Sequence, residues 1–151
     1  MNRLKNIPSI FWMLFLVLLA LECASPKLVL AHEITLFDSK GNPVAYFDTA
    51  DEHTIYLWNG DPVAYLDGVS IYGFNGKHLG WFQDGIVLDH DGYGVGFVEG
   101  AVSYIATKSE PFKNVKKFQP FRSLQELEPL ESFFNNEFSP MPLEKFLVMG
   151  K

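Results

Sequence analysis

Between residues 34 and 105 apolar and polar positions alternate in short runs broken by glycine-containing turns, and this pattern is written four times. The copies read ITLFDSKGNPVAYFD from Ile34, IYLWNGDPVAYLDG from Ile55, IYGFNGKHLGWFQDG from Ile71 and VLDHDGYGVGFVEG from Val87. From Trp58 to Phe74 to His90, and from Tyr65 to Trp81 to Phe97, the step is 16 residues. That length is too short for a strand-helix-strand unit but holds two strands and two tight turns. Each copy is therefore predicted to be a β-hairpin. Asn59-Gly60, Asn75-Gly76 and Asp91-Gly92 supply inner turns that tolerate positive φ, and Asp67-Gly68, Asp84-Gly85 and Glu99-Gly100 mark the opposite strand ends. The repeat region reads as an all-β meander of about eight short strands.

The second strand of each copy defines two faces, because neighbouring side chains point to opposite sides. Val44 with Tyr46, Val63 with Tyr65, Leu79 with Trp81 and Val95 with Phe97 make a large apolar set. Ala45, Ala64, Gly80 and Gly96 lie between them and are followed by Phe47, Leu66, Phe82 and Val98. A small residue at one place in every copy predicts close approach of another segment or of a symmetry-related copy. Four hairpins around a pseudo-fourfold axis are expected to bury the large set centrally and offer the other face to a cover.

After Gly100, Ala101 to Ile105 matches a first strand and is expected to form a ninth, closing the sheet beside Ile34 to Phe37. Beyond it Pro111, Pro120 and Pro129 recur every nine residues, and Pro140 follows. Such spacing excludes a long helix and predicts extended entries into short helical turns. Phe112, Val115, Phe118, Phe121, Leu124, Leu127, Leu130, Phe133 and Phe134 are expected to cover the second sheet face. The bases Lys113, Lys116, Lys117 and Arg122 oppose an Asp-rich repeat region, so charge would set the register of this wrapping tail.

Four hairpins turned by Asn-Gly or Asp-Gly, followed by a proline-punctuated tail, resemble the four-fold β-flower domain of bacterial proteins over roughly residues 34 to 147. The resemblance implies a fold and no established activity, so it carries over no functional residue. Copy four departs from the pattern at Asp89 and His90, where fourfold packing is expected to break.

The chain divides into a signal peptide at 1–31, the hairpin repeat at 32–107 and the wrapping tail of the same domain at 108–151. Arg3 and Lys5 precede an uncharged run from Ile10 to Leu21, short for a membrane span, and Val29-Leu30-Ala31 suits a cleavage site. Export is therefore expected, to the periplasm, cell surface or medium, the alternative being an uncleaved N-terminal anchor. Cleavage removes Arg3, Lys5, Lys27 and Glu22 and takes the net charge from −6 to −8, which argues against nucleic acid as a partner. Cys23 leaves with the signal, so no disulfide is available to the remainder.

The chemistry is thin, and no motif calls for a cofactor or defines an enzyme. Asp89, His90 and Asp91 form the acid-imidazole cluster that stands out, with His78 and Asp84 nearby, and are candidates for a metal or a hydrolytic base. Asp91 is already explained by its turn. The turn residues Asp38, Asn59, Asn75 and Asp91 would form an oxygen ring open to calcium, although turn propensity accounts for them equally well. Exposed aromatics, with Trp58, Tyr72, Phe74 and Tyr93 as candidates, would suit a cell-envelope glycan or choline group. The expected role is structural or binding, with a glycan- or choline-binding module as the alternative.

Overall fold

A computed structural model describes residues 33–151, and the expected signal peptide at 1–31 lies outside them. The eight strands are β1 Glu33–Phe37, β2 Pro43–Asp48, β3 Thr54–Leu57, β4 Pro62–Asp67, β5 Ser70–Gly73, β6 His78–Gln83, β7 Ile86–Leu88 and β8 Gly94–Phe97. They pair antiparallel in sequence order and close into a barrel through β1 and β8, where Phe37 faces Phe97. Closure leaves no edge for a ninth strand, and residues 101–105 form turns instead, with Val102 buried against Phe37 and Phe97. One helix follows, α1 Leu143–Val148.

Each hairpin carries one bulge at the same place. Leu36 faces Ala45 while Phe37 faces Pro43, so Val44 is the extra residue. Equivalent slips leave Val63, Leu79 and Val95 unpaired. A bulge re-aims side chains, and here it corrects the expected faces. The bulged residues turn inward with Ala45 and Ala64 into the main cluster, while Tyr46, Tyr65, Trp81 and Phe97 are buried outside that cluster. The ring half of the large set thus clothes the barrel's outside, and its Val and Leu half joins the small set in the interior.

The small residues make room for α1. Leu143, Phe146 and Leu147 share the main cluster with Ile55, Ile71 and Val87. A Cβ at Gly96 would collide with Leu143, and one at Gly80 would crowd Phe146 and the Leu88 carbonyl. Another segment of the chain is therefore what approaches there, as the small residues predict. Apolar residues at 143, 146 and 147 give this short helix one buried stripe, and extended Pro142 starts it.

Candidate functional site

Residues 108–135 contain no helix or strand, yet they are bound along the whole repeat as a strap. Amides of Lys108, Lys117, Glu126 and Asn135, nine residues apart, donate to the carbonyls of the hairpin-turn glycines Gly41, Gly60, Gly76 and Gly92. Those of Asn114 and Ser123 donate to Trp58 and Phe74, and the Ser132 hydroxyl reaches the His90 carbonyl at 2.7 Å. Pro111, Pro120 and Pro129 belong to the same every-third-residue series. They stand at the positions that donate nothing, where a missing N–H costs nothing. The tail is extended throughout this stretch, without the helical turns that its prolines suggested.

A three-residue rhythm sorts the strap's other side chains. Glu110, Lys113, Lys116, Gln119, Arg122, Gln125, Glu128 and Glu131 point inward onto the barrel. Lys113 Nζ lies 4.5 Å from the Tyr46 ring centre, and the Arg122 guanidinium lies 3.9 Å from that of Tyr65. Gln119 bonds Asp51 and the Tyr56 hydroxyl, Gln125 bonds Asp67 and the Tyr65 hydroxyl, and Glu128 accepts from Ser70 and Trp81. Glu110 bonds Thr35 and Glu131 bonds Gln83. The barrel's outer aromatics carry O–H and N–H groups and are rimmed by acids, so polar heads on long stems suit them better than apolar ones.

The complementary edge overturns the expected cover. Phe112, Val115, Phe118, Phe121, Leu124, Leu127, Leu130 and Phe133 are each at least 85% exposed. Phe134 alone of the expected covering group packs inward, against the Phe37 and Phe97 cluster. The strap wraps the barrel with its backbone and polar edge, and its apolar edge faces water.

The sequence profile of the 4-fold beta flower protein family matches residues 34–147, spanning both the hairpins and the strap. The chain belongs to the 4-fold beta flower family. No curated protein and no solved structure matches it.

In this beta flower, Lys116 links the strap to two barrel carboxylates at once. It pairs with Glu33 at 2.7 Å and also with the carboxylate of Asp48. Burial would raise Asp48, but hydrogen bonds from Lys116 and from the Ala50 amide outweigh it and hold the carboxyl below its ordinary range. For Glu33, too, burial is outweighed by Lys113 and Lys116. Groups depressed in this way stabilise the fold above their unfolded pKa, and the stability is lost as pH falls through the folded value. The melting temperature should therefore drop below about pH 4. Lys116→Met should cost about 1–2 kcal/mol at neutral pH and flatten that acid limb, as read by thermal melts. An unchanged acid limb would mean that these carboxylates do not anchor the strap.

The sequence-chosen site residues fare differently. Asp89 does not converge with His90, because its Oδ1 accepts the amides of Asp91 and Tyr93 and so builds the turn. Asp38, Asn59 and Asn75 spend their side-chain oxygens on turn amides in the same way. Among the described residues no three His, Cys, Asp or Glu side chains gather as a metal site. Tyr72 and Phe74 are buried, while Trp58 is half-buried beneath Lys113, and Tyr93 is half-buried too.

His90 does meet His78, with Nε2 of His90 2.9 Å from Nδ1 of His78. Nε2 of His78 then lies 3.2 Å from Ser70 Oγ, which donates to Glu128 at 2.6 Å. A carboxylate can only accept, so the serine must receive the His78 Nε2 proton, and His78 Nδ1 must accept from His90. His78 is neutral in this arrangement, and burial followed by the neighbouring His90 holds its pKa below the ordinary histidine value. Asp84 stays at an outer turn with positive φ.

Proposed function

We propose that this beta flower is an exported, non-catalytic structural module that assembles with further copies of itself through the strap's apolar edge. The supporting observation is that eight large apolar side chains, spaced every third residue, stand open to water while the backbone beneath them is pinned. Four phenylalanines alone offer roughly 600–1000 Å². One partner's share of a standard interface is about 800 Å².

A second copy suits this edge because knobs and gaps at one pitch complement an identical row. A groove of about 450 Å³ lies beside it, lined by Pro62, Phe74, Phe118, Pro120 and Phe121, and would receive such a knob. The edge itself is uncharged, whereas the whole domain is acidic, so added salt should strengthen association by screening. An acidic domain is a poor match for an anionic bilayer, and no described helix is long and apolar enough to cross a membrane. The glycan or choline alternative needs open aromatic faces, and the candidate rings are largely covered.

Sedimentation of the secreted chain across a concentration series tests the proposal. The wild type should form dimers or larger species, and Phe118→Asp with Phe121→Asp should be monomeric with an unshifted melting temperature. A wild type that stays monomeric, or binds uncharged lipid vesicles as a monomer, would defeat it.

A further inference from the structure

The quadrant holding the histidines departs from its three counterparts in a way that packing does not require. Ser39, Trp58 and Phe74 occupy the positions equivalent to His90, and Pro43, Pro62 and Gly94 those equivalent to His78. Elsewhere the barrel closes without an imidazole at either position. Here two imidazole nitrogens face each other across 2.9 Å at the wall of a cleft of about 350 Å³. Met141 and Met149 line the same cleft, and Met149 is 40% exposed.

From this juxtaposition we infer a binding site for a soft monovalent metal ion, Cu(I), held by His78 Nδ1, His90 Nε2 and the methionine thioethers. Imidazole and thioether are the donors that Cu(I) prefers, whereas hard cations want oxygen. Zinc would need a third nitrogen, thiolate or carboxylate. None is gathered here, since Glu126 Oε2 accepts the His78 amide at 3.3 Å and Asp89 is spent on its turn. Lys77 shares the cleft wall with Asp89, Asp91 and Glu126, so the donor set rather than the net charge selects the ion.

The two nitrogens must part to admit an ion, and His90, on an exposed side chain, is the one free to move. His78 already presents a bare Nδ1, and His90 frees Nε2 by carrying its proton on Nδ1 instead, so no proton is released. The Ser70 and Glu128 bonds behind His78 fix its tautomer, as outer partners do for metal-bound histidines.

The test is anaerobic competition for Cu(I) between the full secreted chain and a chromophoric Cu(I) chelator. One equivalent should transfer to the protein, and His90→Gln, on an exposed side chain, should weaken binding by about tenfold or more. Met149→Leu keeps the volume and should also weaken it, without moving the melting temperature. The apolar-edge variant Phe118→Asp should bind copper normally, so failure of self-association would leave this result standing. Absence of transfer, tighter Zn(II) than Cu(I) binding, or His90→Gln and Met149→Leu both matching wild type would overturn the site.

Discussion

Gly76→Ala should lower stability by about 3–4 kcal/mol, while Gly100→Ala should cost only about 1–2 kcal/mol. Both glycines have φ near +85°, at +85° and +83°, so a new methyl group meets the same backbone penalty at each. They differ in what lies in front of them. A Cβ on Gly76 would fall far inside contact with the Leu124 carbonyl, whereas nothing lies within 4 Å of one on Gly100. The collision would push the strap away and strain the bonds from Glu126 to Gly76 and from Ser123 to Phe74. Thermal melts should show a fall of roughly 10 °C for Gly76→Ala. Equal losses at the two sites would mean that the strap does not touch the turn.

A chain ending at Thr107 should fail to fold cooperatively. The cut removes the strap, which covers Tyr46, Tyr65 and Trp81, together with Leu143, Phe146 and Leu147 from inside the barrel. Those three helix side chains alone are worth about 5–9 kcal/mol at 1.5–3 each. A domain's whole net stability is about 5–15 kcal/mol. The uncovered rings and hollow interior should then drive aggregation, seen as a lost sigmoidal melt and early elution. A soluble truncated chain with a sharp transition would show that the hairpins close unaided.

The hairpins were legible because glycine turns and strand alternation are local properties, and Asn59-Gly60 or Asp67-Gly68 needs no distant partner to be recognised. Faces were harder to read. Tyr46 and Val44 are two apart and would share a side in a regular strand, but the bulge at Val44 turns it inward and leaves the tyrosine outside. Bulges of this kind have no signature in an apolar run. The tail's orientation departs from its sequence pattern for a related reason. An apolar series is normally buried, yet what awaits it here is a surface of phenol hydroxyls, an indole N–H and carboxylates that only polar heads can satisfy. The nine-residue proline spacing did hold the answer, since it marks where the strap makes no backbone bond to a turn. Of the candidate cluster, the approach of His90 to His78 follows from the pairing of β6 with β7, whereas the separate fate of Asp89 depends on turn amides.

Residue-resolved hydrogen exchange of the folded chain tests the strap most directly. Protected amides are expected at Lys108, Asn114, Lys117, Ser123, Glu126 and Asn135, with open-chain rates at Phe112, Val115, Phe118, Phe121 and Leu124 between them. Uniformly fast exchange from 108 to 135, or protection on the apolar residues instead, would contradict a backbone pinned to the four turns with its apolar edge outward.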